Sequence, residues 1–70
     1  MKNKILDLKS FKIGDFVEVT GRKNRKGIVV FVGSEFITIK FIKENLIGKL
    51  GEYRECFDIY DHSVIIRKCN

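Results

Sequence analysis

Four cationic side chains in five positions, Arg22, Lys23, Arg25 and Lys26, form the densest chemical grouping in the chain. Arginine offers a planar fork for bidentate contact with phosphate, lysine offers a point charge, and each neutralised phosphate releases counterions. The grouping therefore suits a nucleic-acid backbone. The plainer alternative is a charged hairpin loop that keeps a small protein in solution. Lys40 and the lysines near the N-terminus extend the patch if the fold brings them together. Phe16, Phe31 and Phe36 fall opposite the expected core face and, if exposed, provide a stacking platform for bases beside the basic loop. Their alternative is a second small core under the N-terminal segment.

Catalysis finds no such grouping. There is one histidine, His62, and neither a G-x-S-x-G nor a phosphate loop, so no enzyme activity and no cofactor are expected. Cys56 and Cys69 form no C-x-x-C pair, and with a single histidine they cannot complete a four-ligand zinc site. Cys56 is expected to pack and Cys69 to be a free thiol, as suits a reducing, cytoplasmic setting.

A chain of 70 residues with 44% apolar side chains supports one domain with one small core. No run approaches the length of a membrane helix, and the N-terminus lacks the apolar centre of a secretory signal, so no membrane contact is expected. The net charge of +5 is unevenly spread. Residues 1–43 carry ten Lys or Arg against four Asp or Glu, residues 44–63 carry two against five, and residues 64–70 carry two against none. An anionic partner for the first part follows from that asymmetry. Residues 1–12 are expected as a basic arm, flexible or partly helical, and residues 13–70 as the folded domain.

Several elements must position these groups. Val17 and Val19 alternate with Phe16, Glu18 and Thr20 as a half-buried strand after the Gly14-Asp15 turn. Residues 28–32 place Ile28, Val30 and Val32 on one face and Val29 and Phe31 on the other, a central strand covered on both sides. Gly33-Ser34 turns the chain into 36–42, which alternates again. The segment 49–57 is ambiguous. As a helix, Tyr53, Cys56, Phe57 and Tyr60 share a face and Glu52, Glu55, Asp58 and Asp61 oppose it; as a strand, it covers a sheet edge. A strand to about Cys56 is preferred, then one helical turn over 58–62 and a last short strand at 64–68. Gly27 follows the basic run where the chain must turn back into a strand, and a positive φ is the expected reason for glycine there.

Five short strands with glycine turns describe a small closed or half-closed barrel. The stretch G-D-F-V-E-V-T-G followed by R-K-G-I-V-V-F-V resembles the KOW motif of SH3-like barrels, found in transcription elongation factors and ribosomal proteins. That motif would map to Val17 through Lys43 with Gly27 as its glycine. I-T-I-K-F and the phenylalanine before the last turn and strand also look like small bacterial SH3-like domains without an assigned role. The resemblance implies a mainly β, five-stranded SH3-like barrel with one short helical turn before the last strand, whose loops contact RNA or DNA backbone. Its surface also serves protein contacts in such folds, so an adaptor or inhibitor is the alternative. A monomer or weak homo-oligomer is expected. The preference for lysine and isoleucine fits an AT-rich coding genome, bacterial or phage.

Overall fold

Period-two alternation of β-branched and aromatic residues carries nearly the whole architecture. A computed structural model of the chain describes residues 8–21, 23–44, 47–61 and 63–69. It contains one 3-10 turn, Leu8–Ser10, and five strands: β1 (Phe16–Thr20), β2 (Arg25–Val32), β3 (Phe36–Glu44), β4 (Leu50–Asp58) and β5 (Ile65–Lys68). All pairings are antiparallel, and the order across the sheet is β4-β3-β2-β1-β5. The first four strands form a meander. β5 then returns to the far side of β1, so β4 and β5, consecutive in the chain, are the two edges.

Alternation assigns the inner face. Val17 and Val19 of β1, Val29 of β2, and Ile37, Ile39 and Phe41 of β3 are essentially inaccessible to solvent. Phe57 from one edge strand and Ile66 from the other join the same cluster, with Phe11 and Ile59. A flat sheet cannot bring both edges to one core, so this sheet is curled. Among the described residues no ladder joins β4 to β5, and the sheet remains open along that seam.

Part of the curl is built into β2. Val29 lies opposite Ile39 but Phe31 lies opposite Thr38, which makes Val30 the extra residue of a β-bulge. The bulge sharpens the local bend. It also resets the alternation, so that Val29 and Val32 both contact the core while Ile28 and Phe31 share the outer side. The strict alternation expected from the sequence, with Ile28, Val30 and Val32 together, does not survive it.

Gly27 is required for a different reason from the one expected. It lies inside β2, opposite Val17 on one side and Phe41 on the other, and its φ is not positive. A Cβ there would sit 2.6 Å from Ile39 Cγ2, 2.6 Å from the Lys40 carbonyl oxygen and 2.9 Å from Phe41 Cδ1. Close approach of β3, rather than turn geometry, excludes a side chain. Positive φ is found instead at Gly48, with φ 78°, and at Gly14, with φ 98°, in a turn closed by the Asp15 N–H donating to the Lys12 carbonyl at 3.1 Å.

The segment 49–57 is strand, in unbroken register with β3 from Phe36↔Asp58 to Glu44↔Leu50. The helical turn expected over 58–62 is instead a β-turn among its described residues, closed by the Asp61 N–H on the Asp58 carbonyl at 3.0 Å. Aspartate side chains explain the difference. The Asp58 carboxylate accepts from the Tyr60 N–H, and Asp61 accepts from the Ser63 N–H, both at 2.8 Å. Such local bonds compete with helical ones. The 3-10 turn stands earlier, at Leu8–Ser10, where it directs Leu8 and Phe11 onto the core. Residues 8–12 of the expected arm are therefore packed on the domain; residues 1–7 lie outside the described residues.

Candidate functional site

Strand alternation divides the basic run. Arg25 is opposite Val19 and shares its inward direction, whereas Lys26 is opposite Glu18 and faces outward. Lys23 is exposed on the loop between β1 and β2, and Arg22 lies outside the described residues. Arg25 does not reach into solvent from a hairpin tip. Its guanidinium lies 4.6 Å above the Phe41 ring and 5.8 Å from the Phe57 ring, and it is ion-paired with Glu55. A hydrogen bond with Tyr53, then the hydrogen bond and charge of Glu55, raise its pKa above the ordinary arginine value against the opposing effect of burial. Arg25 thus closes one end of the core as a fixed cation.

Lys68 does the same at the other end. It lies opposite Val17, with its ammonium 3.5 Å from the Asp15 carboxylate and 6.0 Å from the Phe11 ring. The Lys12 N–H donates to Asp15 Oδ2 at 2.9 Å. That bond, followed by the charge of Lys68, lowers the Asp15 pKa despite partial desolvation.

Outward side chains assemble a second surface from four strands. Phe16, Ile28, Lys40 and Arg54 are successive cross-strand neighbours, one each from β1, β2, β3 and β4. In the adjoining row toward the basic loop, Glu18 of β1 is flanked by Lys26 of β2 and Arg67 of β5. Lys40 also approaches Glu52, at 3.6 Å. Toward the opposite end, Phe31 and Phe36 stack with their centroids 5.4 Å apart. All three phenylalanines are substantially exposed, Phe16 at 59%, Phe31 at 47% and Phe36 at 40%. The second small core considered for them is therefore absent among the described residues.

The expected neighbourhoods are only partly assembled. Lys26 and Phe31 are five residues apart on one strand, roughly 16 Å, so the Phe31–Phe36 stack is not beside the basic loop. Phe16 is the aromatic ring that shares a row with cations. Arg54 and Arg67 join the surface without having been singled out, because each sits in a segment where acidic neighbours or short length obscured it. The signal was present for Arg54: reading 49–57 as a strand in a hairpin with β3 places it opposite Lys40. The acidic residues do not form one face. Glu52 and Asp58 are on the outer side of β4, and Glu55 is on the inner side with Arg25.

A cleft of about 380 Å³ lies at the open seam, lined by Lys23, Arg25, Glu55, Phe57, Asp61 and Val64 among others. Cys56 and Cys69 are free and exposed, and Cys56 is 3.2 Å from the Thr38 hydroxyl, on the outer side rather than packed inside. Its position opposite Thr38, one residue from the inward Phe57, dictates this. Among the described residues no three His, Cys, Asp or Glu side chains converge as metal ligands. His62 lies outside the described residues. Among them, too, no helix is long and apolar enough to cross a membrane. Comparison with models of protein families finds no match, and comparisons with curated proteins and with solved structures find none either.

Proposed function

We propose that this chain is a small nucleic-acid-binding module of the SH3-like, KOW-related kind, acting in the cytoplasm without catalysis and holding unpaired RNA or DNA on its outer sheet face. The strand order and a core shared by both edge strands support that view of the fold. One observation carries the function: the row Phe16, Ile28, Lys40 and Arg54, with Lys26 and Arg67 beside it, sets an exposed ring on the same face as four cations, which outnumber the carboxylates of Glu18 and Glu52 among them. Cations there hold phosphates while Phe16 and the Phe31–Phe36 stack meet unstacked bases. Paired bases hide the faces that stacking requires, so single strands bind better than duplexes. Lys23 contributes further charge at the rim, Arg22 and the N-terminal lysines add to the positive charge of the chain, and Arg25 contributes to stability. Among the described residues there is no recognition helix to enter a groove, and little sequence discrimination is expected.

Oligonucleotide titrations at several salt concentrations test the proposal. Four phosphate contacts on a single strand give a log–log salt slope of about −2.8, and the double change Lys40→Ser with Arg54→Ser reduces its size by about 1.4. Absence of binding to any RNA or DNA at low salt sinks the proposal. A protein partner captured independently of salt and nuclease treatment supports the adaptor role instead.

A further inference from the structure

The two edges of the sheet differ in how they meet solvent. β5 is four residues long and carries Arg67 and Lys68, two features that blunt an edge. β4 is nine residues long, contains no lysine or proline, pairs with β3 without a bulge, and carries charges of both signs, Glu52, Arg54, Glu55 and Asp58. Among the described residues its other side has no strand partner. Leu50, at its start, is 73% exposed. Long, regular edges of this kind template further pairing.

The side-chain order on β4 selects the partner. Antiparallel pairing of two identical strands is related by a two-fold axis through one residue, so each choice of axis fixes every opposing pair. An axis at Glu52 or at Glu55 sets a carboxylate against its own copy. An axis at Arg54 sets two guanidinium groups together. An axis at Tyr53 sets Glu52 opposite Arg54 of the second copy, twice by symmetry, and Leu50 opposite Cys56. It also sets Gly51, where a Cβ would meet nothing closer than 3.8 Å, opposite Glu55. An axis at Cys56 also pairs opposite charges, Arg54 with Asp58, but it joins only residues 54–58 and sets two thiols together; the axis at Tyr53 joins residues 50–56 and is the longer register with opposite charges paired. In that register the partner's exposed leucine lies beside Cys56 on the outer side of the sheet.

We infer that the protein self-associates through β4, two copies pairing antiparallel about Tyr53 into one continuous ten-stranded sheet. The outer faces of the copies then run on from one another, with Arg54 close to the axis. This goes beyond the nucleic-acid proposal and does not depend on it, since the assembly forms without nucleic acid.

Sedimentation of the full chain, free of nucleic acid, tests it together with charge reversal and a cysteine probe. The wild type is expected to reach twice its 8.2 kDa mass as concentration rises. Glu52→Arg and Arg54→Glu each weaken the dimer about tenfold or more, because both symmetric pairs become like-charged, and combining them restores it. Leu50→Cys with Cys69→Ser forms a disulfide-linked dimer under mild oxidation. Within one chain, positions 50 and 56 are about 20 Å apart along a strand, too far for an internal bond. A monomer mass up to millimolar concentration overturns the inference. So does a dimer that ignores both charge reversals, or one in which residue 50 never links to Cys56.

Discussion

Replacing Gly27 by alanine puts a methyl group into space already filled from three directions. The new carbon would lie 2.6 Å from Ile39 Cγ2, 2.6 Å from the Lys40 carbonyl oxygen and 2.9 Å from Phe41 Cδ1. Ile39 and Phe41 are 0% and 1% exposed, so neither side chain has solvent to move into. The carbonyl is backbone, and relief there means parting β2 from β3. Overpacking of this kind costs about 2–3 kcal/mol. A domain of this size loses about 4–8 °C of melting temperature per kcal/mol, which predicts a fall of about 10–20 °C. Small cores rarely supply more than about 3–5 kcal/mol, so Gly27→Val should leave little folded protein. Gly51→Ala is the control. Its Cβ would meet nothing closer than 3.8 Å, and removing a strand glycine's backbone freedom should change stability by under about 1 kcal/mol, in the favourable direction. Thermal unfolding followed by far-ultraviolet circular dichroism separates the two. If Gly27→Ala melts within a few degrees of Gly51→Ala, the close approach of β3 to β2 is not what demands glycine.

Two further substitutions test the cations that close the core. The Asp15 pKa is lowered by the Lys12 N–H and by Lys68, so the carboxylate stabilises the fold above the ordinary aspartate range, and that contribution disappears as pH falls through the lowered value. In urea titrations the gap between wild type and Asp15→Asn should therefore shrink on going from neutral to strongly acidic pH; a constant gap would remove Asp15 from the linkage. Arg25→Met should cost about 1–3 kcal/mol through loss of the ring contacts and of the Glu55 partner. The nucleic-acid salt slope should stay unchanged in that variant, and a reduced slope would show that Arg25 contacts phosphate after all.

Much of the scaffold was legible because local patterning and burial agree. Val17 and Val19 alternate with polar neighbours, and they are buried where the alternation says they should be. The strand over 36–42 and the short last strand were equally plain. Three features were not. The bulge at Val30 leaves no mark in a run where both faces are apolar, since either phase of alternation looks acceptable. The choice between helix and strand for 49–57 depends on a partner strand, and hydrophobic periodicity alone carries no information about β3. The turn after β4 hinges on aspartate side chains that can cap a helix or replace it, and only the path to β5 selects between these roles.

The cationic run shows the division most clearly. Its residue types alone establish a locally intense positive charge, a candidate phosphate contact whatever the fold, because charge and donor geometry belong to the side chains themselves. Direction belongs to the backbone. Pairing of β1 with β2 begins at Arg25, and the two-residue period then sends Arg25 under the sheet to Phe41 and Glu55 and Lys26 out to Glu18. The same pairing carries Lys40 and Arg54, fourteen residues apart in the chain, into neighbouring positions. Such proximity arises from cross-strand registration, and sequence distance does not encode it.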